Sequence, residues 1–457
     1  MDRGALPPSP SLRERIRIAR AFSGGDIDAF TSLREKYGDV VWLGAPIGAY
    51  VVFHPEAAER ILVSNHRNYK KSNNYKEMKL VMGNGLVTSD GELWQQQRRR
   101  VAGTFKRDSL RHYAQIINDL TEESLIAWEA HSSVEEPLDL TEAIGHLTCR
   151  IAGQVFLGVE VEGVATEVQR CSTLAADAFL KRVYAPIKIP RPVPTPANRR
   201  EKKAVQTLDR IIYKLMDDFR RDPPATPSVL GALLQEVQGG NPMSARQIRD
   251  EVCTLFLAGQ ETISAGIQWF LHLLASKPGF QERIATEVVA LGESPPSLSN
   301  LRHLPELGAA FKEALRLYPP IPVLGRTPLA DDVLSGYDIP KGSVVLCPIY
   351  ALHRDERFWP DPTVFSPNRF LNKEAPTPGT YLPFAAGPRK CIGDDLAMIE
   401  GLLIGAAVLQ RFELVPESKS FPTPHTTITL NPEGGPRMLL LPRRKSTRED
   451  IPPISLT

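Results

Sequence analysis

FAAGPRKCIGDDLA, running from Phe384 to Ala397, sets one cysteine between two kinds of sequence. Gly387, Pro388 and Arg389 precede Cys391 and make a tight loop. Behind the cysteine, Leu396, Ala397 and Met398 open an apolar run that resumes from Gly401 to Val408. The pattern predicts a loop feeding a helix, with the thiol near the helix start. The positive end of the helix dipole and its free backbone N–H groups favour thiolate over thiol. A thiolate serves either as a nucleophile or as a metal ligand. A nucleophile needs a base, and the closest histidines in the chain, His353 and His425, are not local to the loop.

The rest of the chain narrows the choice. It has 457 residues, 42% hydrophobic and 24% charged, an ordinary globular balance. Length alone predicts two or three domains. The five cysteines, Cys149, Cys171, Cys253, Cys347 and Cys391, are odd in number and none forms a C-x-x-C pair. That argues against a disulfide framework and a zinc site, and for a reducing compartment. The first four read as inert core. A formal charge of +2 gives no sign of a nucleic-acid partner. MDRGALPPSPSLRERIRIAR lacks a signal-peptide core, and no apolar run reaches the ~18 to 20 residues of a membrane span. The expectation is a soluble, cytoplasmic protein.

Residues 1–30 are polar and proline-containing, and read as a lead-in outside the core. DVVWLG and AYVVF read as two short strands, and HPEAAERILVS as a helix. Gly83, Gly85 and Gly91 mark a loop, followed by helices from Leu93 to Phe105, Ser109 to Ala130 and Glu142 to Leu157. The prolines of RPVPTPANRR forbid a helix interior, and a long charged helix follows from Arg199 to Arg221. Residues 443–457 form a charged, frayed tail. Ser244 to Ser276 has no proline, opens on a Ser244–Gln247 capping box and ends before Pro278. This is a helix of about 30 residues, ~45 Å long. At its middle, Ala258-Gly-Gln-Glu-Thr262 places small residues beside an acid and a hydroxyl, where something flat could approach the backbone.

A soft, buried thiolate as sole protein ligand suits haem iron. The spacing Phe384-x-x-Gly387-x-Arg389-x-Cys391-x-Gly393 resembles the haem-binding signature of the cytochrome P-450 superfamily. Glu313-Ala-Leu-Arg316 resembles its E-x-x-R helix, Ala258–Thr262 its oxygen-activating segment, Trp94–Arg98 its W-x-x-x-R, and Phe365–Phe370 its "PERF" stretch. The likeness runs from Asp39 to about Leu441 and overrides the length prior. It implies a mainly α chain, one cytochrome P-450 fold over residues 31–442, with a small β-rich lobe and a long central helix over the haem. GLVTSDGELW and PVPTPANRR look closer to the fatty-acid-hydroxylase and microsomal-like branch than to the small camphor-type branch.

The resemblance implies roles residue by residue. Cys391 would be the axial ligand to haem b (iron protoporphyrin IX), with Phe384 packed by the sulfur. Gly387 and Gly393 would let the loop pass close to haem and sulfur. Trp94, Arg98, Arg326 and Arg389 would donate to the haem propionates. Glu313, Arg316 and Arg369 would form a buried ionic network. Thr262 would hydrogen-bond bound dioxygen or its water, and Glu261 would relay protons. Ala258 and Gly259 would leave room over the haem. Val87, Ile321, Val323, Leu324, Thr427 and Ile428 would line the substrate pocket, with Leu174 to Pro190 as its roof. These residues are mostly aliphatic, implying a lipophilic substrate. Arg98, Arg99, Arg100, Lys106, Arg107 and Lys390 read either as a solvated face or as a docking face for an acidic electron carrier.

The sequence departs from the family at three places. Asn368 stands where Glu is usual, Ile263 where a second Thr or Ser is frequent, and Gln260 where His is common. No flavin or ferredoxin module follows, so electrons would come from a separate ferredoxin or flavodoxin with its reductase. The expected activity is insertion of one atom of dioxygen into a lipophilic small molecule. Two rival readings are a peroxygenase or isomerase-like haem-thiolate enzyme and a non-catalytic haem or ligand-binding protein. The Glu261–Thr262 pair and the ordinary cysteine-loop spacing argue against both.

Overall fold

The computed structural model describes residues 6–133, 136–159, 171, 174, 190, 192–223, 227–235, 243–292, 294–371 and 375–443. Helices dominate them. In chain order they are α1 (Leu12–Ser23), α2 (Asp28–Tyr37), α3 (Pro55–Glu59), α4 (Tyr75–Met82), α5 (Gly91–Ala102), α6 (Arg107–Ser133) and α7 (Leu140–Ala152). After them come α8 (Pro196–Arg221), α9 (Val229–Gln235), α10 (Ala245–Ala275), α11 (Pro278–Val289), α12 (Pro305–Leu317), α13 (Ile349–Leu352) and α14 (Asp394–Arg411).

The β lobe is a five-stranded sheet. Strands β1 (Val40–Leu43) and β2 (Ala49–Val52) pair antiparallel, as DVVWLG and AYVVF predict. Strand β3 (Tyr69–Lys71) is the far edge; the order is β1-β2-β8-β5-β3, with β5 (Val323–Pro328) and β8 (Val344–Pro348) inside. Three smaller sheets complete it: β4 (Leu138–Asp139) with β9 (Phe412–Pro416) and β12 (Arg437–Pro442), β6 (Asp332–Leu334) with β7 (Tyr337–Ile339), and β10 (Pro424–Thr426) with β11 (Leu430–Pro432).

The N-terminal segment differs from the lead-in reading. Ser11 caps α1, and Ile18 and Phe22 are buried with Phe30, Val41, Leu43 and Val51. Alternating charge hid the apolar face of α1, because only Ile18 and Phe22 need turn inward. Residues 444–457 of the expected tail lie outside the described residues, as do 175–189 of the expected roof.

Helix α10 is the axis of the larger core. Ser244 and Gln247 form the capping box, with the Ser244 hydroxyl accepting from the Gln247 N–H at 3.2 Å. Every residue from Ile248 to Ala275 is buried except Ala258, Gly259, Glu261 and Thr262. Helices α7, α12 and α14 and strand β11 pack around it. Each fully buried Leu, Ile or Phe there contributes ~1.5–3 kcal/mol. Trp269 on α10 stacks on Tyr318 at 3.8 Å and donates to the Leu430 carbonyl at 2.9 Å. That contact fixes the β10–β11 hairpin, and with it Thr427, against the helix.

Candidate active site

The cysteine loop is built by its own backbone. The Cys391 N–H donates to the Phe384 carbonyl at 2.9 Å, closing the turn. Gly387 has φ +70°, and a Cβ there would lie 2.0 Å from the Leu62 carbonyl oxygen. Its glycine therefore serves close approach to the chain before β3. Gly393 caps α14 with φ −101°, and a Cβ there would meet only Phe105 Cε1 at an ordinary 3.5 Å. Nothing in the protein itself requires glycine at that position.

Cys391 is accessible although burial dominates its titration, which describes a side chain facing an enclosed space. Burial pushes its thiol up; the Gly393 N–H, Arg98 and Lys390 act in the opposite sense. The expected dipole effect is thus present but outweighed. A metal coordinated by this sulfur would deprotonate it outright.

Behind the loop sits a fully satisfied network. Glu313 and Arg316, both 0% exposed, pair through two bonds of 2.7 and 2.8 Å. Arg316 also donates to the carbonyls of His353 and Pro362, each at 2.7 Å. Arg369 reaches Glu313 at 3.3 Å, so the expected triad is assembled. Asn368 stays outside it and accepts from Arg283 at 3.1 Å. His353, which sequence reading passed over, joins this network to the cysteine loop. Its Nδ1 meets the Arg316 carbonyl at 3.0 Å and its Nε2 accepts the Leu382 N–H at 2.8 Å. Burial pushes it down to about 3, so it stays neutral and can accept.

Beside the cysteine stands a group of cations. Arg326 on β5 pairs in register with Lys71 on β3, so their side chains share one sheet face. Lys71 donates to the carbonyls of Leu86 and Ser89 at 2.7 and 2.8 Å. Arg389 reaches Asp90 at 2.6 Å, and its buried Nε has no partner. The Trp94 ring lies between the guanidinium groups of Arg389, at 5.3 Å, and Arg98, at 6.0 Å. Arg98 in turn is close enough to Cys391 to feel its charge. Among the described residues neither Arg98 nor Arg326 has a carboxylate partner. Lys71 and Asp90 were not among the sequence candidates; the β3–β5 register brings Lys71 to the site, and Asp90 comes as the N-cap of α5. Burial drives Lys71 down to about 7.

An excess of cations this deep is costly without anions to meet it. The donor set fits a group that carries two carboxylates and lies flat beside Cys391, as a haem does. The orphaned Arg389 Nε fits the same assignment.

On α10, the four half-exposed residues form the other wall. Thr262 donates to the Ala258 carbonyl at 2.6 Å, so the two share a face, and its oxygen keeps its lone pairs free to accept. Glu261 is pushed up to about 7 by burial alone. Gly259 departs from expectation: a Cβ there would lie 2.5 Å from Phe156 Cε2, so its small size serves packing against the chain after α7. Val87 is half-buried on the loop between α4 and α5, against the large core. Val323 and Leu324 are consecutive in β5 and point to opposite faces, so they cannot both line one pocket. Leu324 shares the face of Arg326 and packs with Ile321 against Ala385 and Ala386 of the cysteine loop, whereas Val323 packs on the opposite face with the core of α1 and α2. Thr427 and Ile428 lie in the turn between β10 and β11, half-exposed.

Of the expected docking cations, Arg99, Lys106 and Arg107 are exposed, Arg98 faces Cys391, and Lys390 is ion-paired with Asp394. Among the described residues, no helix is long and apolar enough to cross a membrane.

Comparison with known proteins agrees with this arrangement. The family model for Cytochrome P450 matches residues 9–439. Cyclooctatin synthase from Streptomyces melanosporofaciens is 34% identical, over 88% of this chain and 89% of that protein. Cyclooctat-9-en-7-ol 5-monooxygenase from the same organism is 31% identical, over 85% of each. Cytokinin hydroxylase from Arabidopsis thaliana is 30% identical, over 79% of this chain and 72% of the relative. A model match across nearly the whole length, joined to a thiol ringed by cations, means that this chain belongs to the cytochrome P450 family of monooxygenases.

Proposed function

We propose that this enzyme inserts one atom of dioxygen into a lipophilic small molecule, by hydroxylation or epoxidation, with haem b bound through Cys391. Electrons come from a separate ferredoxin or flavodoxin with its reductase. The observation that carries the reading is the cation group around Trp94 beside Cys391, in which Arg389 is paired with Asp90 while Arg98 and Arg326 have no carboxylate partner among the described residues. Arg326, Arg389, Arg98, Trp94 and Lys71 hold the propionates. When bound, haem supplies the reductive activation of dioxygen.

The chain's own residues supply the rest. The Cys391 loop, held by Phe384 and backed by Glu313, Arg316 and Arg369, sets the sulfur's position. The Thr262 hydroxyl, tied to Ala258, presents its oxygen to the reacting centre as a hydrogen-bond acceptor. Glu261, about half protonated near pH 7, holds a proton and gives it up without a large barrier. This pair favours dioxygen chemistry over a peroxygenase, which has no need of it. Ala258 leaves room beside the haem. Val87, Ile321, Leu324 and Thr427 offer the substrate mostly aliphatic surface. The two Streptomyces relatives make ring-bearing alkenyl alcohols the first compounds to try. Arg99, Lys106 and Arg107 stand on the segment whose Phe105 touches the cysteine loop, where an acidic carrier would dock.

The test is optical. The carbon monoxide complex of the reduced, haem-loaded protein is expected to show a thiolate-type spectrum that Cys391→Ser loses. Titration with fatty acids, terpenes, steroids and macrolides is expected to give a saturable low-spin to high-spin shift with one class. A wild-type spectrum without thiolate character would overturn the assignment of Cys391.

A further inference from the structure

The loop that carries Val87 is held by two adjacent carboxylates on α10, both outside the reacting centre. Asp250 accepts the Asn84 N–H at 2.8 Å, and Glu251 accepts the Leu86 N–H at 3.0 Å. The loop lies flat enough for this because of two glycines. A Cβ on Gly83 would fall 2.0 Å from Asp250 Cγ, and one on Gly85 would fall 2.1 Å from Thr254 Oγ1. From the other side, Gln97 on α5 donates to the Asn84 carbonyl at 2.6 Å and accepts from Ser89 at 2.5 Å. Lys71 takes the carbonyls of Leu86 and Ser89.

Val87 therefore sits between clamped neighbours. Leu86 is held at both its N–H and its carbonyl, by Glu251 and by Lys71. Glu251 is 0% exposed, and its second oxygen has no hydrogen-bond partner among the described residues. A carboxylate so placed is expensive to bury, and removing the acceptor would leave the buried Leu86 N–H unsatisfied. Burial pushes it up to about 7, with Leu86 N–H, Lys71 and Gln97 opposing.

We propose that Glu251 is a positioning residue for substrate selection: through the Leu86 N–H it sets where Val87 stands, while Lys71 holds the Leu86 carbonyl and links that loop to the cations of the haem site. It touches neither substrate nor haem. The inference rests on the reading of Val87 as a pocket residue and of Lys71 as a propionate ligand.

Two measurements on Glu251→Ala, Glu251→Gln and Gln97→Met test it. The first is hydrogen exchange of the peptide spanning residues 83–90 in the protein without added substrate. Glu251→Ala is expected to speed exchange there by roughly tenfold or more, and Gln97→Met by less, while Glu251→Gln, which keeps an acceptor for the Leu86 N–H, stays near wild type. The second is optical titration of the haem-loaded proteins with imidazole and with 4-phenylimidazole. Glu251→Ala is expected to change the ratio of the two dissociation constants by about threefold or more, because only the larger ligand meets Val87. Unchanged exchange in both Glu251→Ala and Gln97→Met would overturn the clamp. Faster exchange with an unchanged ratio would overturn the role in selection. Exchange reads the loop without any assumption about catalysis, so failure of the clamp and failure of the monooxygenase reading are distinguishable. If Glu251→Ala does not fold, Gln97→Met carries both measurements from the α5 side.

Discussion

Two walls of this enzyme are built on opposite principles. Behind Cys391, the groups of the Glu313–Arg316–Arg369 network are matched: Arg316 has two carboxylate bonds and three carbonyl acceptors, and Glu313 also accepts the Ser366 N–H. Along the middle of α10, among the described residues, Glu261 has no charged partner and Thr262 bonds only to its own helix. The first wall is stable because its charges are satisfied, and it holds a sulfur still. On the function proposed, the second would move protons because its groups are left unsatisfied.

That contrast can be broken at several points. Glu313→Ala leaves two buried guanidinium groups short of a partner, a loss of ~3–5 kcal/mol. It is expected to abolish folded, haem-loaded protein, measured by soluble yield and by haem content. Retained haem binding in Glu313→Ala would put the stiffness of the cysteine loop elsewhere. On the reactive wall, Glu261→Gln should leave folding intact and slow product formation by roughly 10²-fold or more. The pH profile should also change near pH 7, because Glu261 is pushed up to about 7 and the amide that replaces it does not titrate, while Glu251 and Lys71, also shifted to about 7, are retained. Thr262→Ala should divert electrons to peroxide in place of product, measured as the ratio of product to reductant consumed.

The two loop glycines sharpen the contrast further. Gly387→Ala meets a positive φ and the Leu62 backbone, so it should cost ~1–3 kcal/mol even in haem-free protein. Gly393→Ala meets neither and should leave haem-free stability unchanged, so any defect it shows would lie in haem binding. Thermal unfolding of both variants, with and without haem, separates the cases.

The smallest effect belongs to Glu400 on α14, buried with one oxygen unpartnered and pushed up to about 8 by burial. Its folded state holds a proton that the unfolded chain loses above pH ~4.5, so this group lowers stability as pH rises from there through 8. Glu400→Gln should raise Tm at pH 8.5 and leave it unchanged at pH 4.5, by calorimetry.

Much of this was legible in one dimension. The span and cap of α10, the strands β1 and β2 and the cysteine loop all follow from local spacing, capping and turn chemistry, while the E-x-x-R pair came from the family resemblance. What misled was the cause attached to a residue. Gly259 is small in the sequence for a reason that only its neighbour, Phe156, reveals. Residues from Ile18 to Phe30 read as outside the core because few apolar positions suffice to seat a short helix. Val323 and Leu324 were grouped by adjacency, though a strand sends neighbours to opposite faces.

By itself, then, the sequence determined the chemistry: a thiol in a tight turn, a long helix with an acid and a hydroxyl at its centre, and arginines at set distances along the chain. Only the tertiary structure decided which charges meet. Lys71 reaches Arg326 and Arg389 because β3 pairs with β5, across more than 250 residues. Glu251 reaches Leu86 because a glycine-bearing loop lies flat on α10. The physical reason is one of range. Caps and turns are satisfied within a few residues, whereas a buried charge must find its partner wherever the chain brings one back.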